Sequence, residues 1–147
     1  MTKSAAPGPT ISLKVRRLEA SDVAEYRELR LESLQVHPEA FGSSWESEGE
    51  KPISWWAELL LKNTVFGGWV NNSPLVGVAG FAVYDSAKLR HKGVLWGMYV
   101  RPEARGTGLA AALVQEVVAH ARTFVEQVYL TVVASNVAGF AGYKFLL

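Results

Sequence analysis

Apolar and polar positions alternate at Ile11, Leu13 and Val15, a period-two pattern that predicts an edge-type strand over Ile11 to Arg17. Ser21-Asp22 then supplies a helix cap, and Ala24, Leu29, Leu31 and Leu34 carry a helix to about Val36. His37-Pro38 ends it, because a residue before proline avoids the α region. Glu39 to Pro52 is rich in Ser, Glu and Gly and reads as a loop, followed by a short helix over Ser54 to Lys62 with Trp55, Trp56, Leu59 and Leu60. Val65 to Val70, Leu75 to Tyr84 and Gly93 to Val100 read as three strands of an antiparallel meander. Asn71-Asn72-Ser73-Pro74 turns the chain between the first two, and Asp85 to Lys92 connects the second to the third. Spacings of three and four among Leu109, Ala112, Leu113, Glu116, Val117 and His120 predict a helix to about Phe124. Glu126 to Ala134 is a further strand, and Asn136 to Leu147, ambiguous by period, is read as the start of a last helix. The resulting order, β-α-α-β-β-β-α-β-α, places the chain in the α/β class: a mixed sheet with helices on its faces.

Composition narrows the function classes. At 147 residues, with 49% hydrophobic and 20% charged residues, the chain is long enough for one domain with a substantial core. We read residues 1–10 as a flexible tail and residues 11–147 as that single domain. The net charge of +1 gives no support to a nucleic-acid binder. Without cysteine there is no thiol nucleophile and no thiolate metal site, and His37, His91 and His120 lack metal-ligand spacing. The first residues lack the apolar stretch of a signal peptide, and no segment supplies the roughly 20 apolar residues of a membrane span. The expectation is a cytoplasmic protein with no metal, no membrane and no nucleic-acid partner.

The chemistry concentrates at Val94 to Ala110. An apolar strand ends at Met98-Tyr99-Val100-Arg101-Pro102, a basic turn carries Gly106 and Gly108, and a long helix begins. A helix start offers unpaired N–H groups and the positive end of the macrodipole, both favourable to an anion. Two glycines allow a phosphate close to the backbone, where a Cβ would obstruct it. A phosphate-bearing cofactor is implied.

With these residues the sequence resembles the GNAT superfamily of acetyl-CoA-dependent N-acetyltransferases. The family pattern Gln/Arg-x-x-Gly-x-Gly/Ala is matched by Arg105-Gly106-Thr107-Gly108-Leu109-Ala110, in the same place between strand and helix. Arg30-Leu31-Glu32-Ser33-Leu34 and the following His37 to Ser44 look like the first-helix region of many bacterial members. The resemblance implies that coenzyme A lays its pyrophosphate on Arg105, Gly106, Thr107, Gly108, Leu109 and Ala110. Its pantetheine arm would run along Met98, Tyr99 and Val100 like an added strand. Gly97 suits this, since a glycine inside a strand often marks a bulge or a close backbone approach. A backbone N–H near Met98 would polarise the thioester carbonyl.

A second likeness lies at Asn136, Gly139 and Tyr143, which reproduce the family's spacing of Asn, a small residue and Tyr. By this analogy Asn136 bonds the pantetheine, and Tyr143, a phenol with pKa about 10, protonates the departing thiolate. The expected strand carboxylate is absent from Gly93 to Val100. His91, Glu46 and Glu48 are the other candidates for general base, each also readable as a solvated surface group, and deprotonation through ordered water stands beside them. Of Trp55 and Trp56, one is expected in the core and the other is free to line an acceptor pocket; Glu103 reads as a turn residue facing solvent.

The family normally continues after the tyrosine through Leu-Gly-Phe into two further strands. Here Tyr143-Lys144-Phe145-Leu146-Leu147 closes the sequence, roughly 20 to 30 residues earlier than family anatomy and typical strand lengths suggest. That reads as a truncated C-terminus with an exposed strand edge, which a homodimer would cover. Two functions follow. One is an acetyl-CoA-dependent N-acetyltransferase passing acetyl to a primary amine, small molecule or peptide, by direct attack in a ternary complex. The other is a shortened relic that binds coenzyme A or a partner without catalysis. A dinucleotide-binding oxidoreductase is set aside, because the glycine motif comes late and lacks the third glycine.

Overall fold

The computed structural model of the chain describes residues 10–36, 45–83, 92–123, 127–133 and 140–146. The expected tail falls almost entirely outside them, as do His91 and Asn136. Six strands form one sheet in sequence order: β1 (Leu13–Arg17), β2 (Thr64–Val70), β3 (Gly77–Val83), β4 (Lys92–Val100), β5 (Gln127–Val133) and β6 (Phe140–Leu146). The first four run antiparallel, β4 and β5 run parallel, and β6 returns antiparallel to β5. Helices α1 (Val23–Val36), α2 (Trp45–Gly49) and α3 (Ile53–Lys62) follow β1, and α4 (Leu109–Ala121) makes the crossover from β4 to β5. The mixed sheet with helices on both faces is as the periodicity predicted.

The two faces bury separate cores. Leu109, Leu113, Val117 and Ala121, one per helical turn, are fully buried and lay α4 on Phe66, Val76, Phe81 and Leu95. On the other face Tyr26, Leu29, Trp56 and Leu60 pack α1 and α3 against Val65, Leu75, Val78 and Tyr99. Small residues allow α4 to sit close: a Cβ on Gly68 would lie 2.7 Å from Leu109 Cδ1. The start of α1 is set by Asp22, whose carboxylate accepts the Glu19 N–H at 2.8 Å and a two-pronged bond from Arg16, both arms 2.8 Å. A short 3-10 turn, Ala20–Asp22, leads into the helix there.

Two sequence expectations need correction. The segment read as the start of a last helix contains β6 instead, paired along its whole length from Phe140↔Val133 to Leu146↔Gln127. Phe140, Tyr143 and Phe145 favour a strand, Gly142 disfavours a helix, and the β5 edge supplies backbone partners that local periodicity does not register. The segment Glu39 to Pro52, read as loop, carries the short helix α2, held by a long-range ion pair. Among the described residues, no helix is long and apolar enough to cross a membrane.

Candidate active site

The register of the sheet breaks at one point. Val78 pairs with Tyr99 and Gly80 with Trp96, so Ala79 alone opposes both Gly97 and Met98. This is a β-bulge, and Gly97 adopts φ +60, which only glycine takes readily. The extra residue resets the alternation of β4. Leu95 faces α4, Trp96 faces α1 and α3, and after the bulge Met98 and Val100 face α4 again while Tyr99 faces α1. Trp96 lies flat across Gly80, where a Cβ would collide with its indole.

Beside the bulge the described pairing of β4 with β5 stops. The described β4–β5 register runs from Lys92↔Gln127 to Leu95↔Leu130 and ends there, although β4 continues to Val100 and β5 to Val133. Among the described residues, the stretch of β4 that carries Gly97, Met98 and Val100 therefore has no pairing with β5.

At the top of that edge the chain turns through Pro102–Ala104 into the glycine loop. Arg105 reaches back to the Val100 carbonyl at 3.3 Å. Thr107 closes the loop internally, its hydroxyl donating to Ala104 O at 2.6 Å and accepting the Leu109 N–H at 3.3 Å. Gly106 and Gly108 hold φ +81 and +91, and Gly108, as the cap of α4, offers no side chain to the first-turn N–H groups. A Cβ on Gly106 would meet nothing within 4 Å. The loop is thus an open backbone cradle at the positive end of a 13-residue helix. These features fit a pyrophosphate: N–H donors, helix dipole and clearance that a side chain would take away.

The structure brings most of the predicted cofactor residues together. Met98 and Val100 lie on the stretch of β4 beyond its described pairing with β5, and Arg105, Gly106, Thr107, Gly108, Leu109 and Ala110 form the loop and first turn. Tyr99 contributes only backbone on that side. Its ring is buried on the opposite face, where the hydroxyl donates to Glu32 Oε2 at 2.8 Å. Burial, with the Glu32 carboxylate beside it, pushes the Tyr99 phenol up to about 12. Leu109 is wholly buried and its N–H donates to the Thr107 hydroxyl, so this residue closes the loop from within. Tyr143 lies on β6 opposite Leu130, the β5 residue that also pairs with Leu95 at the last described β4–β5 rung.

The base candidates separate. Glu46 is exposed on α2. Glu48 is 5% exposed and takes both its bonds, 3.1 Å each, from Arg30 Nε and Nη2. Trp56 is the core residue of the tryptophan pair, edge-on to Tyr26 and Trp55, while Trp55 is half-buried beside Glu58, Leu59, Lys62 and Asn63. Glu103 is exposed, as a turn residue should be. Among the described residues no cluster of three His, Asp or Glu is placed to hold a metal.

Sequence reasoning missed the two polar links beneath this site. Arg30 falls on the buried stripe of α1 with Tyr26, Leu29 and Ser33, and a charge on an apolar face calls for a partner. Its guanidinium pairs with Glu48, lies 5.9 Å from the centre of a Trp96 ring and sits 3.1 Å from where a Gly97 Cβ would be. Arg101, at the end of β4, bonds Glu32 through Nε at 3.0 and 3.2 Å and the Leu75 carbonyl at 3.4 Å.

Comparison with known proteins agrees with this geometry. Residues 25–145 match the family described as Acetyltransferase (GNAT) family. None of the curated proteins matches the chain. Among solved structures, a GNAT-family acetyltransferase from Streptococcus pneumoniae is 19% identical, covers 85% of this chain and 77% of its own, and superposes with a TM-score of 0.69. YncA of Salmonella typhimurium, solved with its cofactor acetyl-CoA, is 19% identical over 82% of this chain and 70% of its own, TM-score 0.62. A ribosomal-protein-alanine N-acetyltransferase from Brucella melitensis is 19% identical over 84% and 76%, TM-score 0.63.

Proposed function

Because this chain belongs to the GNAT acetyltransferase family, we propose that it transfers the acetyl group of acetyl-CoA to a primary amine by direct attack in a ternary complex. The observation that carries this reading is the bulge at Gly97 beside the end of the described β4–β5 pairing, leading straight into the cradle at Gly106 and Gly108. The loop N–H groups hold the pyrophosphate, and the Met98–Val100 edge supplies strand-like hydrogen bonds to the pantetheine arm. A backbone N–H at the bulge faces the carbonyl oxygen as it gains charge, which is where a fixed donor contributes most. Acetyl-CoA supplies the activated thioester. The amine nitrogen forms the new bond to the carbonyl carbon while the carbon–sulfur bond breaks. The thiolate takes a proton from Tyr143, whose phenolate regains one from solvent, and the attacking neutral amine gives one up to solvent. The register of Tyr143 at the last described β4–β5 rung supports that role. A cytoplasmic site of action goes with this reading.

A second reading has its own observation. Described residues of β4 include no carboxylate, and Glu48 is committed to Arg30, so among the described residues no buried free carboxylate stands beside the edge. A domain that binds coenzyme A without transferring acetyl fits those facts. Thiol release from acetyl-CoA over a panel of small amines, peptide N-termini and lysine peptides separates the two. The transferase reading expects turnover with at least one class, and at least a tenfold lower kcat for Tyr143→Phe at unchanged acetyl-CoA affinity. Silence with every amine, despite saturable cofactor binding, selects the binding module. An unchanged rate in Tyr143→Phe removes that residue from the chemistry.

A further inference from the structure

The acetyl-CoA reading requires two separate pieces of backbone to stand at a fixed distance: the Met98–Val100 edge and the Arg105–Ala110 cradle. Between them lies Arg101, and it is fastened more heavily than any other residue of the connection. Its N–H donates to Val76 O at 2.9 Å and a guanidinium N–H to Leu75 O at 3.4 Å, which ties it to the segment that leads into β3. Its Nε bonds both oxygens of Glu32 on α1, which also accepts the Tyr99 hydroxyl at 2.8 Å. The Arg101 side chain is 15% exposed and that of Glu32 34%, so water screens the pair only in part.

We propose that Glu32 and Arg101 form a positioning clamp that sets the spacing between the thioester edge and the pyrophosphate cradle. The proposal rests on the acetyl-CoA reading above. Neither side chain touches the ligand. Glu32 grips β4 on both sides of Val100, through Tyr99 and Arg101, and the chain then needs only the turn Pro102–Ala104 to reach the cradle. A ligand that engages both pieces gains from their fixed geometry, since the second contact is made at high effective concentration once the first has formed. A ligand that touches the cradle alone gains nothing from it.

That difference makes the clamp testable apart from general stability. The full chain and its Glu32→Gln variant are titrated calorimetrically with acetyl-CoA and with 3′-phospho-ADP, the pyrophosphate-bearing fragment of the same molecule. Glu32→Gln is expected to weaken acetyl-CoA roughly five- to tenfold while the fragment changes by less than about twofold, as lost preorganisation of one charge-assisted link implies. Arg101→Lys keeps the charge but gives up the planar group that reaches Glu32 through Nε and the Leu75 carbonyl through Nη1; it should show the same split and carries the comparison if Glu32→Gln is too unstable to titrate. Equal weakening of both ligands, or of neither, overturns the clamp. Absence of acetyl-CoA binding by the unaltered chain overturns the cofactor reading itself, and the clamp falls with it.

Discussion

Replacing Glu48 by Gln tests what holds α2 against the rest of the domain. Arg30 and Glu48 have side chains 10% and 7% exposed, and they share two bonds of 3.1 Å. An exposed pair of this kind is worth about 0–1 kcal/mol, whereas removing one partner of a buried pair costs about 3–5 kcal/mol by stranding the other charge. Glutamine keeps the volume and one acceptor, and Arg30 retains its place over Trp96, 5.9 Å from the ring centre. The lower figure, about 3 kcal/mol, is therefore expected. For a domain of this size that lowers Tm by roughly 6–12 °C and leaves it folded. Urea unfolding followed by tryptophan fluorescence measures the loss. The partner variant Arg30→Met and the double variant complete a cycle: with both charges gone, the double variant should be more stable than the sum of the single losses by about 2 kcal/mol. A loss below about 1 kcal/mol for Glu48→Gln, or strict additivity in the cycle, would refute the reasoning that a desolvated ion pair anchors α2.

Other expectations follow from single sites. Arg16's fork and the Glu19 N–H hold the Asp22 carboxyl below its ordinary value. A lowered folded-state pKa means stability that is present above the unfolded value, about 4, and lost as pH falls through the folded one. Asp22→Asn should therefore be less stable than the parent at neutral pH, with the gap closing below about pH 4; a gap independent of pH contradicts this. Gly106→Ala places a Cβ in open space at φ +81, so its stability cost is confined to backbone strain of about 1–2 kcal/mol. The same Cβ stands where the phosphate must approach, so acetyl-CoA affinity should fall more than tenfold. A variant that melts as expected yet binds acetyl-CoA unchanged shows that the cradle holds no phosphate. Tyr99, raised to about 12, should stay unionised in the folded protein when spectrophotometric titration passes pH 10, and should ionise near 10 only on unfolding.

What the sequence made legible was local and periodic. The helical spacing from Leu109 to His120 and the glycine loop at Arg105 to Ala110 each follow from spacing along a single element. Gly97 was legible as either a bulge or a close backbone approach, and the register shift shows it to be a bulge. What could not be read depended on contacts far apart in the chain. The short helix α2 has a polar sequence, Trp45-Glu46-Ser47-Glu48-Gly49, whose anchor is an arginine 18 positions earlier. The strand β6 is decided by the edge of β5, since Phe140 to Leu146 has neither a clean period of two nor of 3.6. The link from Glu32 to Arg101 spans 69 positions and leaves no spacing signal at all. Part of the cofactor side is local backbone geometry and was readable, while the framework that fixes it is long-range and was not.

The central claim is that the bulged edge of β4 and the cradle at Gly106 together hold acetyl-CoA. Calorimetric titration of the intact chain with acetyl-CoA tests it most directly. Saturable binding with one ligand per chain, weakened by Gly106→Ala, is expected. A titration that shows no saturable heat up to millimolar acetyl-CoA would contradict it.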